Sequence, residues 1–391
     1  MKADLLVVGA GVVGLTAALE ARRRHPGASI VVLDKEAAAG AHASGRNSGV
    51  LHAGFYYAAD SFKARFCREG NLAWTAWCDE RGLPIRKCGK LVVARSEADL
   101  AGLDELLRRA AVNGVPLEAI SADDARRIEP RARTFVRALW SPSTSSVDAG
   151  EVMASLAEEA VRSGITFLTG TRWLAPGRTS AGPIDAGYVL NAAGLYADRI
   201  AHAHGFGAGR VILPFRGLYL YGDDDAPPLH TLVYPVPDLG MPFLGVHWTV
   251  DVHGHSKIGP TALPGMWREQ YGGLSGFSAS EAISAATVQA CQLATDAGFR
   301  RLAREEVGKW SRSGLVARAS QLLDGVDPRQ FRVWGRPGIR AQLFDTRTRR
   351  LEMDFAVEGD ERSLHVLNAV SPAFTCAIPF ARWLIDQTAL K

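Results

Sequence analysis

The sequence predicts an α/β protein, α+β overall, in which a parallel nucleotide-binding unit is combined with an antiparallel sheet. The first observation is an apolar run at residues 5–8, followed directly by three glycines in the spacing G-x-G-x-x-G. The second is a change of pattern between residues 210 and 259, where short strands alternate with turn residues. A chain of 391 residues is long enough for two domains or one large core.

The glycine motif defines the first unit of the chain. The β-branched run at residues 5–8 is typical of a buried parallel strand, because helices cover both faces of such a strand. Gly9 allows a tight turn, Gly11 lets the backbone approach a pyrophosphate, and Gly14 lets a helix pack closely on the strand. Residues 15–24 are predicted to form that helix, whose N-terminal N–H groups and dipole favour phosphate.

A second strand and an acidic residue complete this unit. Residues 30–33 are apolar and end at Asp34, where a carboxylate can accept hydrogen bonds from ribose hydroxyls. The alternative is a glycine-rich turn in an α/β protein that binds no nucleotide. Strand, helix, strand and acid in this order favour the dinucleotide interpretation.

The composition excludes several classes of function. Hydrophobic residues make up 47% and charged residues 22%, which is typical of a globular protein, and no uncharged apolar run is long enough to span a membrane. The net charge of +4 is small and scattered, so we expect no nucleic-acid partner. Lys2 before an apolar stretch mimics a signal peptide, but the glycine spacing argues against cleavage there.

The cysteines indicate a reducing compartment. They are odd in number and contain no C-x-x-C pair, which favours a reduced cytoplasmic chain without a metal site. Peripheral attachment to the inner membrane is compatible with this location. The cysteines are Cys67, Cys78, Cys88, Cys291 and Cys376.

A loop of small and hydroxyl-bearing residues follows the first unit. Residues 40–57 have no clear periodicity, which suits a backbone that lies against a flat or charged ligand, although an ordinary turn-rich loop is the alternative. His52 stands near the far end of the loop between apolar neighbours, where a buried structural histidine and a catalytic histidine are both open interpretations. The candidate ligand contacts in the loop are Ser44, Asn47, Ser48 and Gly49.

Further elements are predicted along the chain. Ser96 is expected to cap the N-terminus of one helix. The predicted helices lie at residues 61–82, 97–113, 148–163, 278–306 and 313–324, with a short one beginning at Ser121. The predicted strands lie at residues 89–95, 165–169, 188–191, 218–221, 231–234, 243–248, 257–259 and 365–368.

Two later segments combine a strand end, a turn and the start of a helix. The strand at residues 188–191 ends in the sequence Asn-Ala-Ala-Gly. Ala193 and Gly194 therefore form a second place where the backbone can contact the nucleotide closely. The strand at residues 365–368 is followed by a turn and a helix start between Ser371 and Ile378.

On these residues the chain resembles the L-2-hydroxyglutarate oxidase/dehydrogenase family, within the D-amino-acid-oxidase-type flavoproteins. The resemblance runs nearly from end to end, and its specific parts are the loop ending in His52 and the string that ends at His247. The matching stretches are Gly9-Ala-Gly-Val-Val-Gly14, Gly45-Arg-Asn-Ser-Gly-Val-Leu-His-Ala-Gly54, Cys88-Gly-Lys90, Pro214-Phe-Arg-Gly217, Tyr234-Pro-Val-Pro-Asp238, Met241-Pro-Phe-Leu-Gly-Val-His247, Gly338-Ile-Arg-Ala-Gln342 and Asn368-Ala-Val-Ser-Pro-Ala373.

The resemblance implies a domain division and a cofactor. It implies a discontinuous Rossmann-like FAD-binding domain at residues 1–85, 148–209 and 335–391, and a substrate domain with an antiparallel sheet at residues 86–147 and 210–334. FAD is expected to be held non-covalently, with a helix N-terminus after Ser371 at the flavin ring. The expected FAD contacts are Gly9, Gly11, Val12, Val13, Gly14, Asp34, Lys35, Ser44, Asn47, Ser48, Gly49, Ala193, Gly194, Ser371, Pro372, Ala373, Thr375 and Ile378.

The resemblance also implies oxidation of a small L-2-hydroxy acid, similar to 2-hydroxyglutarate, to the 2-oxo acid by hydride transfer to flavin N5. This chemistry needs a clamp for the carboxylate and a base for the hydroxyl proton. Arg340 is the candidate clamp, because a guanidinium offers two parallel donors, and His52 is the candidate base. Arg216 suits either a second carboxylate or a structural ion pair. His247 is a further candidate whose orientation the strand pattern leaves open.

Two other functions stay open from the sequence. An amine or amino-acid oxidase of a biosynthetic pathway uses the same scaffold, and a nucleotide-binding protein without redox chemistry is the third interpretation. For the oxidoreductase, the expected partners are a small acid substrate and an electron acceptor, either O2 or a respiratory quinone. Residues 171–187 are shorter than the family's usual hairpin, and residues 343–350 lack its Pro-Asp-Gly turn.

Overall fold

The computed structural model describes residues 1–239 and 243–390, and the first part of the Met-Pro-Phe string used above therefore lies outside the described residues. Within them the chain forms ten α-helices and five β-sheets. The helices are α1 Val12–Arg24, α2 Phe62–Arg81, α3 Leu100–Asn113, α4 Ala122–Ile128, α5 Ala149–Arg162, α6 Ala197–Ala203, α7 Ala279–Thr295, α8 Ala297–Val307, α9 Arg312–Ala319 and α10 Ala373–Asp386.

The strands are short and spread over the whole chain. They are β1 Lys2–Val8, β2 Ile30–Leu33, β3 Val50–Leu51, β4 Ile85–Arg86, β5 Lys90–Val93, β6 Glu118–Ser121, β7 Arg137–Ser141, β8 Ser145–Val147, β9 Thr166–Leu168, β10 Trp173–Ala175, β11 Arg178–Thr179, β12 Gly182–Pro183, β13 Asp185–Asn191, β14 Arg210–Gly217, β15 Leu220–Gly222, β16 Leu232–Pro235, β17 His247–Val250, β18 Ser256–Gly259, β19 Leu263–Pro264, β20 Phe331–Trp334, β21 Gly338–Asp345, β22 Arg350–Leu351, β23 Ala356–Gly359 and β24 Ser363–Asn368.

The first sheet is the parallel one that the glycine motif predicts. Its strand order is β23-β24-β13-β1-β2-β9, and every neighbouring pair is parallel except β23 with β24. From Leu5 to Val8 of β1 and throughout β2 the residues are apolar and buried, because helices α1, α5 and α10 pack on the sheet. All six strands fall within the ranges predicted for the cofactor domain.

Helices α2 and α10 approach each other unusually closely beside this sheet. A Cβ atom on Gly70 of α2 would lie 1.9 Å from the carbonyl oxygen of Thr375 in the first turn of α10. Only glycine fits at such a contact between two backbones. The position of the first turn of α10 is therefore set by α2.

The second large sheet has eight strands in the order β20-β15-β18-β17-β16-β5-β7-β6. All of its strands fall within the ranges predicted for the substrate domain, and the antiparallel pattern predicted for residues 210–259 is observed in β15, β17 and β18. One junction differs from this pattern, because β16 pairs in parallel with β5 from the earlier part of the chain. The buried face of the eight-stranded sheet packs against α3 and α9.

A smaller sheet joins the two predicted ranges. Its order is β19-β14-β21-β22, and β14 pairs with β21 along eight residues, from Arg210 opposite Asp345 to Gly217 opposite Gly338. Strand β14 belongs to the range predicted for the substrate domain, whereas β21 belongs to the range predicted for the cofactor domain. The ladder therefore holds the two parts side by side.

Several helix starts differ from the sequence prediction. Helix α1 begins at Val12 rather than at residue 15, because Gly11 is extended and the helix starts directly after the tight turn. The prediction that Ser96 caps a helix was wrong. A 3-10 turn at Glu97–Asp99 precedes α3, and the Ser96 side chain makes no capping bond, while the Asp99 carboxylate accepts from the Arg95 N–H instead.

Other predicted elements are shorter or divided in the structure. The strand predicted at residues 243–248 begins only at His247, whose ring bonds the Gly245 carbonyl and so removes that group from the ladder. The helix predicted at residues 278–306 is divided at Asp296, whose carboxylate accepts from two N–H groups and caps α8. Over residues 1–239 and 243–390, no helix has both the length and the apolar character needed to cross a bilayer.

Candidate active site

A cavity of about 610 Å³ lies at the carboxyl ends of the parallel strands β1, β2 and β13. Because β2 and β13 lie on opposite sides of β1, this is the edge at which open α/β sheets bind ligands. The residues predicted from the sequence that line it are Gly9, Gly11, Val12, Val13, Asp34, Lys35, Ser44, Asn47, Ser48, His52, Ala193, Gly194, Arg340, Ser371, Pro372, Ala373 and Thr375.

The other predicted site residues lie outside the cavity lining. Gly49 has a φ of +76°, and a Cβ there would lie 2.3 Å from the Val147 carbonyl oxygen, so it shapes the loop. Ile378 packs against the apolar core from the inner part of α10. The residues outside the lining are Gly14, Gly49, Arg216, His247 and Ile378.

The first glycines form a close cradle at the end of β1. Gly9 has a φ of +108°, and a Cβ there would lie 2.5 Å from the Ala192 carbonyl oxygen after β13. A Cβ on Gly14 would lie 1.9 Å from the Gly9 carbonyl oxygen. Gly14 therefore lets α1 approach the turn, as the sequence predicted, without touching the cavity itself.

The N-terminus of α1 faces the cavity. Its first residues, Val12 and Val13, line the wall, and the Val12 N–H donates to Ser44 Oγ over 2.9 Å. The hydroxyl of Ser44 thus belongs to the same surface as the positive end of the helix dipole. This surface suits an anionic group such as a phosphate.

Asp34 closes the next strand, as the sequence predicted. Its Oδ2 accepts from the Ala10 N–H over 2.8 Å, and its Oδ1 accepts from the Glu36 N–H over 2.9 Å. Two backbone donors fix the carboxylate at the cavity wall, and each oxygen keeps a lone pair for a further donor. Ribose hydroxyls are donors of the right kind.

A polar cluster at the rim was missed by the sequence prediction. Lys35 Nζ lies 2.7 Å from Glu269 Oε1, and the His42 ring bonds Glu36 on one side and Tyr271 on the other. Burial raises the pKa of Glu269, but hydrogen bonds from Lys35 and Tyr196 outweigh this effect and leave it below the ordinary value. The cluster holds Lys35 and His42 in place along the cavity. The cluster is formed by Lys35, Glu36, His42, Tyr196, Glu269 and Tyr271.

His52 lines the cavity and is almost wholly buried. Its backbone N–H donates to Thr375 Oγ1 over 3.1 Å, and its carbonyl oxygen accepts from Asn71. Imidazole Nδ1 is buried and has no hydrogen-bond partner among the described residues. Burial, with a smaller contribution from the charge of Lys90, holds the pKa of His52 well below its ordinary value. The ring is therefore neutral at physiological pH and free to accept a proton.

Arg340 reaches the cavity from β21. Its Nη1 donates to the Thr261 carbonyl oxygen over 3.2 Å, and its guanidinium lies 5.3 Å from the Phe243 ring centroid. No carboxylate forms an ion pair with it in the part of the chain that the structure describes. A Cβ on Gly217 would lie 3.2 Å from Arg340 Nη1, so this glycine leaves room for the guanidinium. The remaining donors are available to a ligand.

Arg216 and Arg340 lie on opposite faces of the β14–β21 ladder. The register partner of Arg340 is Phe215, and directly opposed residues share a face, so the next residue, Arg216, points the other way. The buried Arg216 Nε has no hydrogen-bond partner among the described residues. The two predicted arginines are therefore not brought together.

His247 lies near the cavity but behind its wall. Its ring stacks on the Tyr234 ring with 3.7 Å between centroids, and its Nδ1 bonds the Gly245 carbonyl over 2.8 Å. Burial lowers the pKa of His247 to about 3, although the Gly245 bond opposes the shift. This histidine is therefore a neutral, packed neighbour of the site.

Other lining residues were not predicted. Tyr219 lies close to Ser48 and to Arg340, and burial raises its pKa above the ordinary value. The segment predicted to be shorter than the family hairpin forms the small sheet β10-β11-β12 and still supplies Arg172, Trp173 and Leu174 to the wall. Nothing in the local sequence distinguishes these side chains from ordinary surface or core residues.

Comparisons with known proteins identify the family of this chain. The family described as FAD dependent oxidoreductase (DAO) matches residues 4–387. The chain belongs to this family of FAD-dependent oxidoreductases. Its relatives include the L-2-hydroxyglutarate dehydrogenase of Escherichia coli (strain K12), 32% identical over 98% of this chain and 92% of the relative. They also include the mitochondrial L-2-hydroxyglutarate dehydrogenase of Homo sapiens, 33% identical over 98% of this chain and 88% of the relative.

Solved structures share the fold. L-alpha-glycerophosphate oxidase from Mycoplasma pneumoniae, solved with FAD bound, has a TM-score of 0.78 at 20% identity and covers 98% of this chain and 94% of its own. Glycine oxidase from Geobacillus kaustophilus has a TM-score of 0.71 at 19% identity, with coverage of 98% and 94%. The predicted fold class, the FAD cofactor and the oxidoreductase class are confirmed.

Proposed function

We propose that this chain oxidises L-2-hydroxyglutarate, or a closely similar L-2-hydroxy dicarboxylate, to the 2-oxo acid. The observation that carries the proposal is one cavity lined by an arginine without a carboxylate partner and by a neutral histidine, Arg340 and His52. The relatives named L-2-hydroxyglutarate dehydrogenase, about a third identical over nearly the whole chain, support the choice of substrate.

The residues of the cavity fit FAD. The Gly9 cradle admits no side chain, the N-terminus of α1 suits the pyrophosphate, and Asp34 suits the ribose hydroxyls. The first turn of α10, with Ser371 to Ala373, extends the wall toward His52. When bound, FAD supplies a two-electron acceptor for substrate oxidation.

Arg340 and Tyr219 are proposed to bind the carboxylate next to the reacting carbon. A guanidinium holds a carboxylate in one plane through two parallel bonds, which fixes the orientation of the neighbouring carbon. Tyr219 is protonated at neutral pH, because burial raises its pKa, and it can donate to the same carboxylate or to the hydroxyl. Neither residue changes its own charge in this role.

His52 is proposed to take the hydroxyl proton. The substrate loses one proton from its hydroxyl and the equivalent of a hydride from carbon 2, and a carbonyl forms. A neutral imidazole has one nitrogen free to receive the proton, and burial of the ring excludes competing water. The bond from the His52 N–H to Thr375 fixes the backbone that carries the base.

Anaerobic mixing of the purified flavoprotein with single substrates tests the proposal. L-2-hydroxyglutarate is expected to bleach the flavin fastest, and its D enantiomer, L-lactate and a set of amino acids are expected to react much more slowly. Faster bleaching by an amino acid, with release of ammonia, would overturn the assignment in favour of an amine oxidase.

We further propose that the reduced flavoprotein passes its electrons to O2 or to a respiratory quinone in the cytoplasm or at the inner membrane. All five cysteines are free thiols, which is typical of proteins in a reducing compartment such as the cytoplasm. Reoxidation rates with O2 and with a water-soluble quinone distinguish the two acceptors. Fractionation of cells identifies the location.

A further inference from the structure

A buried lysine beside the candidate base has no partner. Lys90 is 0% exposed at the start of β5, and its Nζ makes no hydrogen bond among the described residues. Three aromatic rings surround it, with Nζ 4.4 Å from the Tyr234 centroid, 5.0 Å from that of Tyr56 and 5.4 Å from that of Phe55. Ring faces attract the charge but do not replace the hydrogen bonds lost on burial.

The other buried lysines of the described chain do have oxygen partners. Lys309 pairs with Glu306, Lys63 donates to the Met353 carbonyl, and Lys257 donates to the Ser48 carbonyl. Lys90 is the exception among these four. An ammonium group in such a place is costly unless an anion joins it.

Further unpaired polar atoms lie around Lys90. The hydroxyl of Tyr56 and Nδ1 of His52 are buried without a hydrogen-bond partner in the residues described. Burial is the main cause of the low pKa of His52 and of His247, and the charge of Lys90 lowers both further. Lys90 is close to this region, because Tyr234 contacts both its Nζ and the His247 ring. Unpaired buried polar atoms beside an unpaired lysine indicate a polar ligand at this place.

We propose that Lys90 binds the distal carboxylate of the substrate and thereby selects dicarboxylates over monocarboxylates. This inference rests on the proposed function, in which Arg340 holds the carboxylate next to the reacting carbon. Tyr56 is then a second donor to the distal carboxylate. Arg216 does not take this role, because it lies on the opposite face of its ladder from Arg340.

Replacement of Lys90 by methionine tests the selectivity. Lys90→Met keeps the length and the apolar stem of the side chain and removes the donor. We expect kcat/KM for L-2-hydroxyglutarate to fall roughly 10- to 100-fold. For L-2-hydroxybutyrate, which lacks the second carboxylate, we expect a change of less than about threefold. An equal fall for both acids, or no fall for either, would overturn the proposal.

Lys63→Met is the matched control, because Lys63 is also a buried lysine outside the cavity lining, but it belongs to α2 and donates to the Met353 carbonyl. Its ratio of kcat/KM for the two acids is expected to match that of the wild type. Lys90→Arg keeps a positive charge and is expected to retain part of the preference for the dicarboxylate. A ratio for Lys90→Arg as low as that of Lys90→Met would contradict a role for charge.

Binding of glutarate, which has no hydroxyl to oxidise, gives a readout independent of turnover. Calorimetric titration of the FAD-loaded protein should give a Kd for glutarate that rises roughly 10- to 100-fold in Lys90→Met, with little change for butyrate. If the wild-type flavin is reduced by neither hydroxy acid, the proposed function fails and glutarate binding alone decides the role of Lys90. Unchanged glutarate affinity in the variant would reject that role.

If Lys90→Met does not fold, the pH dependence of glutarate binding to the wild-type protein tests the proposed role of Lys90 instead. Burial lowers the pKa of Lys90 to about 7, so the Kd should rise about tenfold per pH unit above that value, while butyrate binding stays flat. A flat profile for glutarate would reject the proposal. The titratable groups that face Lys90 are His52, Tyr56, Cys67, Cys88, Tyr234 and His247.

Discussion

The backbone N–H of His52 donates to the hydroxyl of Thr375, with 3.1 Å between nitrogen and Oγ1. The same hydroxyl lies 3.4 Å from the carbonyl oxygen of Val50, so one side chain holds both sides of the strand end that carries the base. Because Thr375 belongs to the first turn of α10, these contacts join the loop with His52 to the wall formed by that helix. The bond is a direct link between the cofactor wall and the candidate base.

Thr375→Val should disturb this link without removing any charged group. Loss of the acceptor leaves the buried His52 N–H unpaired, which costs about 1–3 kcal/mol of unfolding free energy. We also expect flavin reduction to slow several-fold while FAD stays bound. Denaturant unfolding and anaerobic stopped-flow measure the two effects. Thr287→Val, which removes a hydroxyl that bonds only within exposed α7, is the control, and a Thr375→Val variant as fast as that control would contradict the link.

His52→Asn should slow flavin reduction by roughly a hundredfold or more, because asparagine cannot take up the hydroxyl proton. FAD content is expected to be unchanged, since the imidazole forms no bond that holds the first turn of α10. Stopped-flow reduction by L-2-hydroxyglutarate is the measurement, with exposed His255→Asn as the control. A near wild-type rate would assign His52 to packing.

The rate of reduction at saturating substrate should show no loss on acidification from about pH 7 to pH 6. A base must be neutral to act, and burial, with a smaller contribution from the charge of Lys90, keeps the pKa of His52 well below its ordinary value of 6.5. The ring therefore stays neutral over this interval. Rates that halve near pH 6.5 would show that the ring titrates as in solution.

Lys90→Met should raise stability below neutral pH in the absence of substrate. Burial lowers the pKa of Lys90 to about 7 from 10.5, so between these values the unfolded chain binds a proton that the folded chain does not. The cost of burying Lys90 is therefore full below pH 7 and fades toward pH 10.5. At pH 6 we expect a gain on the order of a few kcal/mol over the wild type, smaller at pH 9.

Unfolding of FAD-loaded protein in denaturant at pH 6, 7.5 and 9 measures this difference. The charged and titratable groups around Lys90 are those named for the glutarate experiment, and they are the same in both proteins. Lys87→Met, at an exposed ion pair with Asp79, is the control. A variant less stable than the wild type at pH 6 would show that Lys90 is compensated in the folded chain.

Gly9→Ala should yield protein that retains little FAD. The left-handed φ of Gly9 strains any side chain, and the added Cβ would lie 2.5 Å from the Ala192 carbonyl oxygen, which pushes the cradle open. The ratio of flavin to protein absorbance after purification measures retention. Gly27→Ala, where nothing lies within 4 Å of the added Cβ, is the matched control. Equal retention in both variants would show that the cradle does not hold the cofactor.

Local sequence patterns were sufficient for the first βαβ unit. Gly14 meets the Gly9 carbonyl and Asp34 bonds the Ala10 N–H, and both contacts lie within this unit, so the spacing of the motif is enough to predict their positions. Ser96 shows the limit of this approach, since Asp99 bonds the Arg95 N–H and the helix begins later. The domain boundaries and the roles of the site residues stay predictions.

Long-range relationships could not be predicted from the sequence. Arg216 and Arg340 both occur in family strings, but only the register of β14 with β21 shows that they point to opposite faces. Glu269 reaches Lys35 across most of the chain, and no local pattern marks either as a partner of the other. Lys90 had one local indication, a lysine within the apolar strand predicted at residues 89–95, which is an unusual place for a charge.

The ladder of eight residue pairs between β14 and β21 has a consequence for how ligands enter and leave. A hinge that swung the two predicted domains apart would have to break this ladder, so we expect exchange through the mouth of the cavity, with movement confined to side chains and short loops. It follows too that the chain cannot be divided into independently produced fragments at residue 210 or 335. Each fragment would expose the edge of a strand whose partner lies in the other.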